Sequence, residues 1–317
     1  MSTPTGGPGS GARPGAVAIR DVGPRDGLQP EAPVPVADRV RLVHALADAG
    51  VTRIEVTGFV SPKAVPAMAG AAEVVAAVER RPGVTYAALV PNLRGAEMAL
   101  AAGVDELTVT ISASETYNQR NVHMSVAESA AVIAEIAVRA GDAGTPVDAV
   151  ISCAFGSPYE GDLDPADAVA LGARLAGAGA TRVTYADTTG MATPRRVTEL
   201  AAALGPGPLG PDGQDVGLHL HDTRGTALVN AYAALEAGIA RFDTAVGGLG
   251  GSPFAHGAGG NLATEELVAL LDDLGIATGI DVERLVAAAL LVEELVGRPV
   301  PSGVAHAGPR TRRSAAT

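Results

Sequence analysis

The chain has 317 residues, 47% of them hydrophobic, and a formal net charge of −12. That length suits one α/β barrel or two smaller domains, and the acidic balance argues against general binding to DNA, RNA or acidic membranes. A single cysteine, Cys153, excludes a disulfide framework within the chain and a cysteine-rich zinc site, and it fits a reducing, cytoplasmic setting.

In chain order, residues 1–16 are rich in Gly, Pro, Ser and Thr and lack the apolar run of a signal peptide, so they are expected to be a disordered tail. No later apolar stretch is long and unbroken enough to span a bilayer. Eight strand-like segments follow: Val17–Val22, Arg53–Thr57, Thr85–Val90, Glu106–Ile111, Val147–Cys153, Arg182–Ala186, Val216–His221 and Phe242–Val246. Between them lie Ala-rich amphipathic stretches: Val36–Ala49, Gly70–Arg80, Ala96–Ala102, Val126–Ala143, Pro165–Ala178, Pro194–Leu204 and Gly225–Ala237. Several end in an Ala-Gly pair that reads as a helix C-cap feeding the next strand. The alternation predicts an α/β fold, a TIM (β/α)8 barrel over residues 17–297, with extra C-terminal helices near Leu262–Leu274 and Val282–Val296. A doubly wound sheet is the alternative, but no GxGxxG turn follows the first strand. Residues 298–317 are rich in Pro, Gly and Arg and are expected to be a second disordered tail.

The seventh strand carries the most informative residues. In Val216-Gly-Leu-His-Leu-His-Asp222 the side chains alternate, so His219 and His221 share one buried face. Two imidazoles there need a user for their nitrogens, and a divalent metal is the simplest. Two core histidines satisfied by backbone carbonyls are the alternative. In such barrels the chemistry sits at the C-terminal ends of the strands, and polar residues gather there. Strand one ends in Gly23-Pro-Arg-Asp-Gly27, strand two carries Glu55, strand six ends in Asp187-Thr-Thr189, and Gly-rich segments 247–253 and 259–261 follow strand eight. Each could be a turn or a cap taken alone; their common rim is what joins them. Of the 23 basic residues only Lys63 is a lysine. Chance explains that, or else a phosphate or carboxylate partner for a compact ammonium.

Taken together, Val22-Gly-Pro-Arg-Asp-Gly-Leu-Gln29, Ile54-Glu-Val-Thr-Gly-Phe-Val-Ser-Pro-Lys63, Ser157-Pro-Tyr-Glu-Gly161, His219-Leu-His-Asp-Thr223, Gly248-Leu-Gly-Gly251 and Gly260-Asn-Leu-Ala-Thr-Glu265 resemble the hydroxymethylglutaryl-CoA lyase family of metal-dependent, aldolase-like barrels. The resemblance implies a retro-Claisen cleavage of a 3-hydroxy-3-methylglutaryl-CoA-like thioester to an acyl-CoA and a keto acid. It implies Asp26, His219, His221 and Asn261 as metal ligands, with Mg²⁺ or Mn²⁺ suited to that oxygen-rich mixture. Asn261 could equally cap the helix that follows. It implies Arg25 as the stabiliser of a developing enolate oxygen, with an ordinary rim salt bridge as the alternative, Glu55 and Asp187 as ordering acids, and Asp26, His219 or, through water, Asp187 as the base. Glu55 in a core strand needs a partner, and Arg25 is the expected one. Gln29 and Lys63 fall in the matched segments as substrate-binding residues. An acyl-CoA is the implied partner, and a homodimer the implied assembly.

Two positions depart from the family pattern. Ser252 stands where the family carries a catalytic cysteine, and Gly58 where it often has Ser. Serine is a far weaker acid, so a Ser252–His256 pair is one replacement, with His256 as a plain loop residue the other reading. These changes admit a bulkier substrate or a citramalyl-CoA-like ester. A condensing synthase of the isopropylmalate synthase type is a further alternative, though its usual first motif is absent, and a non-catalytic scaffold is opposed by retention of all four ligands.

Overall fold

Eight short parallel strands hydrogen-bond in sequence order and close on themselves, β1 against β8, in a computed structural model that describes residues 13–205, 215–251 and 259–312. They are β1 (Ala18–Asp21), β2 (Arg53–Gly58), β3 (Thr85–Leu89), β4 (Glu106–Ser112), β5 (Val147–Ser152), β6 (Arg182–Ala186), β7 (Asp215–His219) and β8 (Arg241–Thr244). This is the TIM barrel the alternation predicts, with strand ends at most two residues from the expected ones.

The surrounding layer contains α1 (Val36–Asp48), α2 (Ala71–Ala77), α3 (Leu93–Ala102), α4 (Glu115–Val122), α5 (Val126–Asp142), α6 (Pro165–Gly177), α7 (Pro194–Leu204) and α8 (Ala227–Glu236). Local sequence sets their ends. Ser125 and Glu128 form a capping box at the start of α5, Asp164 and Thr193 cap α6 and α7, and Gly103 ends α3 in a left-handed conformation. Helix α4 is absent from the periodicity reading because its sequence, Glu-Thr-Tyr-Asn-Gln-Arg-Asn-Val, is polar almost throughout. No helix among the described residues is long and apolar enough to cross a membrane.

The core lies between the barrel wall and the helices. Outward strand side chains such as Ile19, Ile54, Tyr86, Leu107, Ile151, Val183, Leu218 and Phe242 are fully or almost fully buried there. The barrel interior is filled differently, with Arg20, Arg53, Glu106, Asp148, Thr184 and Arg241 paired across the axis. Gly217 on β7 is part of this packing: a Cβ there would meet Arg241 Cζ at 2.8 Å.

After β8 come α9 (Thr264–Asp273), α10 (Val282–Val296) and α11 (Gly303–Ala307). The expected disordered tails need correction where they are described. At the N-terminus, Arg13 donates to Glu236 and Tyr232. From Arg298 onward, Val300, Ser302 and Ala305 are buried, Ser302 caps α11, and Arg310 and Arg312 pair with Asp273 and Glu283. A few apolar anchors and one cap suffice to fix a segment whose composition reads as loose.

Candidate active site and metal centre

The site is built at the C-terminal ends of the strands, and its first wall is an unusual turn. After β1, Gly23–Gly27 forms one π-helical turn in which Gly27 N–H donates to Val22 O at 3.2 Å. Gly23 is needed for close approach: a Cβ would lie 2.8 Å from Asp21 Oδ1. The turn aims the adjacent Arg25 and Asp26 side chains into one cavity of about 370 Å³. Gln29, Leu89, Tyr117, Val150, His219, His221 and Asp243 also line it.

Arg25 is held in place. Its Nε donates to Glu55, a fully buried carboxylate, and its Nη1 to Asp26, while Gln29 Oε1 lies 3.5 Å away. The expected Arg25–Glu55 pair therefore exists. Burial opposes the charge of Arg25, but Glu55 and then Asp26 outweigh it and raise its pKa. Asp26 is the reciprocal case. Burial would raise it, yet Arg25, His219 and His221 hold it at about 2, so it is a carboxylate at neutral pH.

His219 ends β7. His221 lies just past the strand, in an isolated bridge to Asn261. The strand is shorter than expected, but the alternation holds: the two rings share a face and their Nε2 atoms are 3.1 Å apart. Asp26 Oδ2 is 3.9 Å from His219 Nε2, and one ligand atom each from Asp26, His219 and His221 fits within 4.8 Å. Burial, then His219, lowers His221 to about 4, which keeps the ring neutral and free to ligate. Asn261 donates its amide N–H to Asp26 Oδ2 and to Leu249 O, each at 2.8 Å, leaving Oδ1 buried without a partner. Asn261 does not cap the next helix, whose N-cap is Ala263.

The donor set fits a divalent cation. Two imidazole nitrogens and a carboxylate converge, and the amide of Asn261, hydrogen-bonded to that carboxylate, keeps an unpaired oxygen, which buried polar groups seldom do without a purpose. The 3.1 Å between the ring nitrogens is close to the ~3 Å separating two neighbouring ligands at right angles with bonds of roughly 2.1 Å.

Other expected residues are placed less simply. Burial raises Asp187 to about 7, an apt value for a general base. Its Oδ1, however, accepts from Ala192 N–H at 2.8 Å, and Ala186 and Thr188, rather than Asp187, line the cavity. Asp187 Oδ2 is buried without a hydrogen-bond partner. Lys63 is exposed beside Ser61 and Ala64 at the cavity edge. Ser252 and His256 lie outside the described residues. Sequence reasoning missed Asp243, Arg20 and Tyr117. The alternation Arg-Phe-Asp-Thr along β8, with Phe242 outward, was the available signal for Asp243.

The HMGL-like family model matches residues 16–292. A Bacillus subtilis hydroxymethylglutaryl-CoA lyase is 43% identical over 292 residues, covering 91% of this chain and 96% of that protein. A Pseudomonas aeruginosa 3-hydroxy-3-isohexenylglutaryl-CoA/hydroxymethylglutaryl-CoA lyase is 45% identical over 298 residues, covering 93% of this chain and 97% of the relative. The structure is also similar to that of an Acinetobacter baumannii HMG-CoA lyase in complex with coenzyme A and 3-methylmalate, with a TM-score of 0.89 and 38% identity over 95% of this chain and 98% of the other.

Proposed function

The chain belongs to the HMGL-like family and is a carbon–carbon lyase, and from that premise we propose that it cleaves 3-hydroxy-3-methylglutaryl-CoA to acetyl-CoA and acetoacetate. The observation that carries the substrate reading is the meeting of Asp26, His219 and His221 with Arg25 in one cavity, with Asn261 hydrogen-bonded to Asp26 behind it. The condensing-synthase alternative is set aside, because relatives over 40% identical across nearly the whole chain are named as lyases.

In this reading Asp26, His219, His221 and Asn261 hold Mg²⁺ or Mn²⁺. Such a cation, when bound, lowers the pKa of a tertiary hydroxyl and orients it. Arg25 faces the same space with a guanidinium fixed by Glu55 and Asp26, so its remaining N–H groups are preorganised for the oxygen of the enolate that forms as the carbon–carbon bond breaks. Glu55 acts through Arg25. Asp26, ionised and anchored by Asn261, balances the local positive charge. Gln29 contacts the acyl portion, and Lys63 the phosphate end of CoA. Asp187, with an unpaired Oδ2 and a pKa raised to about 7, takes the hydroxyl proton through water, and Ser252, in place of the family's cysteine, gives a proton to the enolate carbon with His256 as its relay. A homodimer in the cytoplasm completes the reading; light scattering and fractionation test it.

A second substrate is favoured by one specific feature. Gly58 carries no side chain beside Leu89 and Arg25, two residues that line the cavity, and in this reading that leaves room for a 3-substituent larger than methyl. The Pseudomonas aeruginosa relative is named for such a substrate. The deciding experiment offers the 3-methyl and 3-isohexenyl thioesters with Mg²⁺ or Mn²⁺ and follows acetyl-CoA and free keto acid. Metal-dependent product from either supports the lyase site; no product from both, with metal bound, overturns the substrate reading.

A further inference from the structure

Three neighbouring strands place Arg20, Asp243 and His219 side by side. Asp243 is in register with Arg20 on β1 and with His219 on β7, so all three side chains point into the barrel. Arg20 grips both oxygens of Asp243, Nε to Oδ1 at 2.9 Å and Nη2 to Oδ2 at 2.6 Å. His219 Nδ1 faces Asp243 Oδ2 at 3.5 Å. Arg20 is 1% exposed and Asp243 2%, so little water competes for these contacts.

An ionised carboxylate only accepts hydrogen bonds. The two-pronged contact with the Arg20 guanidinium holds Asp243 as the carboxylate. The proton of a neutral His219 ring therefore belongs on Nδ1. His221 meets the same condition from another source. Its Nδ1 is 3.1 Å from the carbonyl oxygen of Gly259, also an acceptor only. Both Nε2 atoms are then bare, and they face each other at 3.1 Å. Two opposed lone pairs at that distance repel unless a cation lies between them.

We propose that Asp243, clamped by Arg20, is a positioning residue that presets His219 in the Nδ1–H tautomer and so aims a bare Nε2 into the metal cluster. This rests on the reading of Asp26, His219, His221 and Asn261 as the metal site. The 3.5 Å contact is long for a hydrogen bond, as such contacts often are before ligands bind. Partners of this kind fix ring orientation and raise ligand basicity, and their loss typically weakens metal affinity about 10–100-fold. In Asp243→Asn a single acceptor oxygen has two claimants. With that oxygen on Arg20, the amide NH₂ turns toward His219 and favours the opposite tautomer.

The test uses protein labelled with ¹⁵N-histidine, with His219 assigned through His219→Gln. The metal-free wild type should show His219 protonated on Nδ1 and bare on Nε2. Asp243→Asn should shift it toward Nε2–H and raise the Kd for Mn²⁺ about 10–100-fold. Thr184→Val, which loses the hydroxyl's contacts with both oxygens of Asp148 in the same interior, should leave both readouts unchanged. An Nε2–H ring in the wild type overturns the proposal, and so does unchanged Mn²⁺ affinity in folded Asp243→Asn. The wild-type spectrum decides alone if that variant does not fold. An Nδ1–H ring in a wild type that binds no Mn²⁺ would overturn the metal-site reading rather than the tautomer assignment.

Discussion

Gly58→Ala separates stability from selectivity at one position. Gly58 ends β2, and a Cβ added there lies 3.6 Å from Leu89 Cδ2 and 3.7 Å from Arg25 Cγ, both ordinary van der Waals contacts. The variant should therefore fold without strain. Replacing glycine at an unstrained position restricts the unfolded chain and stabilises by about 0.4–1 kcal/mol. At roughly 2–4 °C per kcal/mol for a domain of this size, Tm should rise by about 1–4 °C. The same methyl fills wall space next to Arg25, where the proposed reading puts a large 3-substituent. Misfit of one methyl-sized group in an apolar pocket changes kcat/KM by roughly 10–200-fold. Turnover of 3-hydroxy-3-methylglutaryl-CoA should barely change, while the 3-isohexenyl thioester should lose by that factor. The assay is the ratio of the two kcat/KM values in wild type and variant, with Tm measured alongside. A raised Tm with an unchanged ratio would show that the substituent does not lie against β2. A lowered Tm would refute the claim that the space is free.

Arg25→Lys should lower kcat on the order of a hundredfold or more and also lower Tm, because one ammonium cannot satisfy both Asp26 and the fully buried Glu55; near-wild-type turnover would reduce Arg25 to a bulk charge. Truncation after Val296 should lower Tm by exposing the apolar surface under Val300 and Ala305 and by removing Ser302, which hydrogen-bonds buried Glu265, so an unchanged Tm would show that the tail adds nothing. Glu265 is raised by burial to about 7 from an ordinary 4.5, so its folded form takes up a proton; the associated stabilisation is full below about pH 4.5 and lost as pH rises through 7. Tm of wild type minus that of Glu265→Gln should accordingly become more negative across that window, and a pH-independent difference would contradict the assignment.

The barrel was legible because each strand shows the helices an apolar face every second residue and each helix ends at a glycine or starts at a polar cap. The shared face of His219 and His221 was legible for the same reason: they are two apart, so strand geometry alone puts them together. Asp26 and Asn261 needed the family resemblance, since 235 residues separate the atoms that hydrogen-bond. Helix α4 was not legible because it buries Tyr117 and Asn118 through a polar sequence with no helical stripe. The tail after Arg298 was not legible because its order comes from contacts with α9 and α10, which composition does not record.

The barrel interior shows why one class of residue escapes such reading altogether. Hydropathy finds the face of a strand that meets apolar helices, and says little about the face that meets other strands. Here that inner face carries Arg20, Arg53, Arg182 and Arg241 against Glu106, Asp148, Asp215 and Asp243, four charges of each sign, so the network is invisible in a net charge of −12. Its pairs join distant segments: Arg20 and Asp243 are 223 residues apart. Buried ion networks of this kind give little net stability against an apolar core of equal volume, because desolvation offsets the attraction. Their advantage is direction. An apolar layer under the site could hold His219 in place but could not select its tautomer, which is the role proposed for the Arg20–Asp243 pair, and β1, which carries Arg20, also leads into the turn of Arg25 and Asp26. Replacing the interior pairs with well-packed apolar residues could therefore preserve the barrel and still weaken the site, because this charged interior reaches the cavity through Asp243.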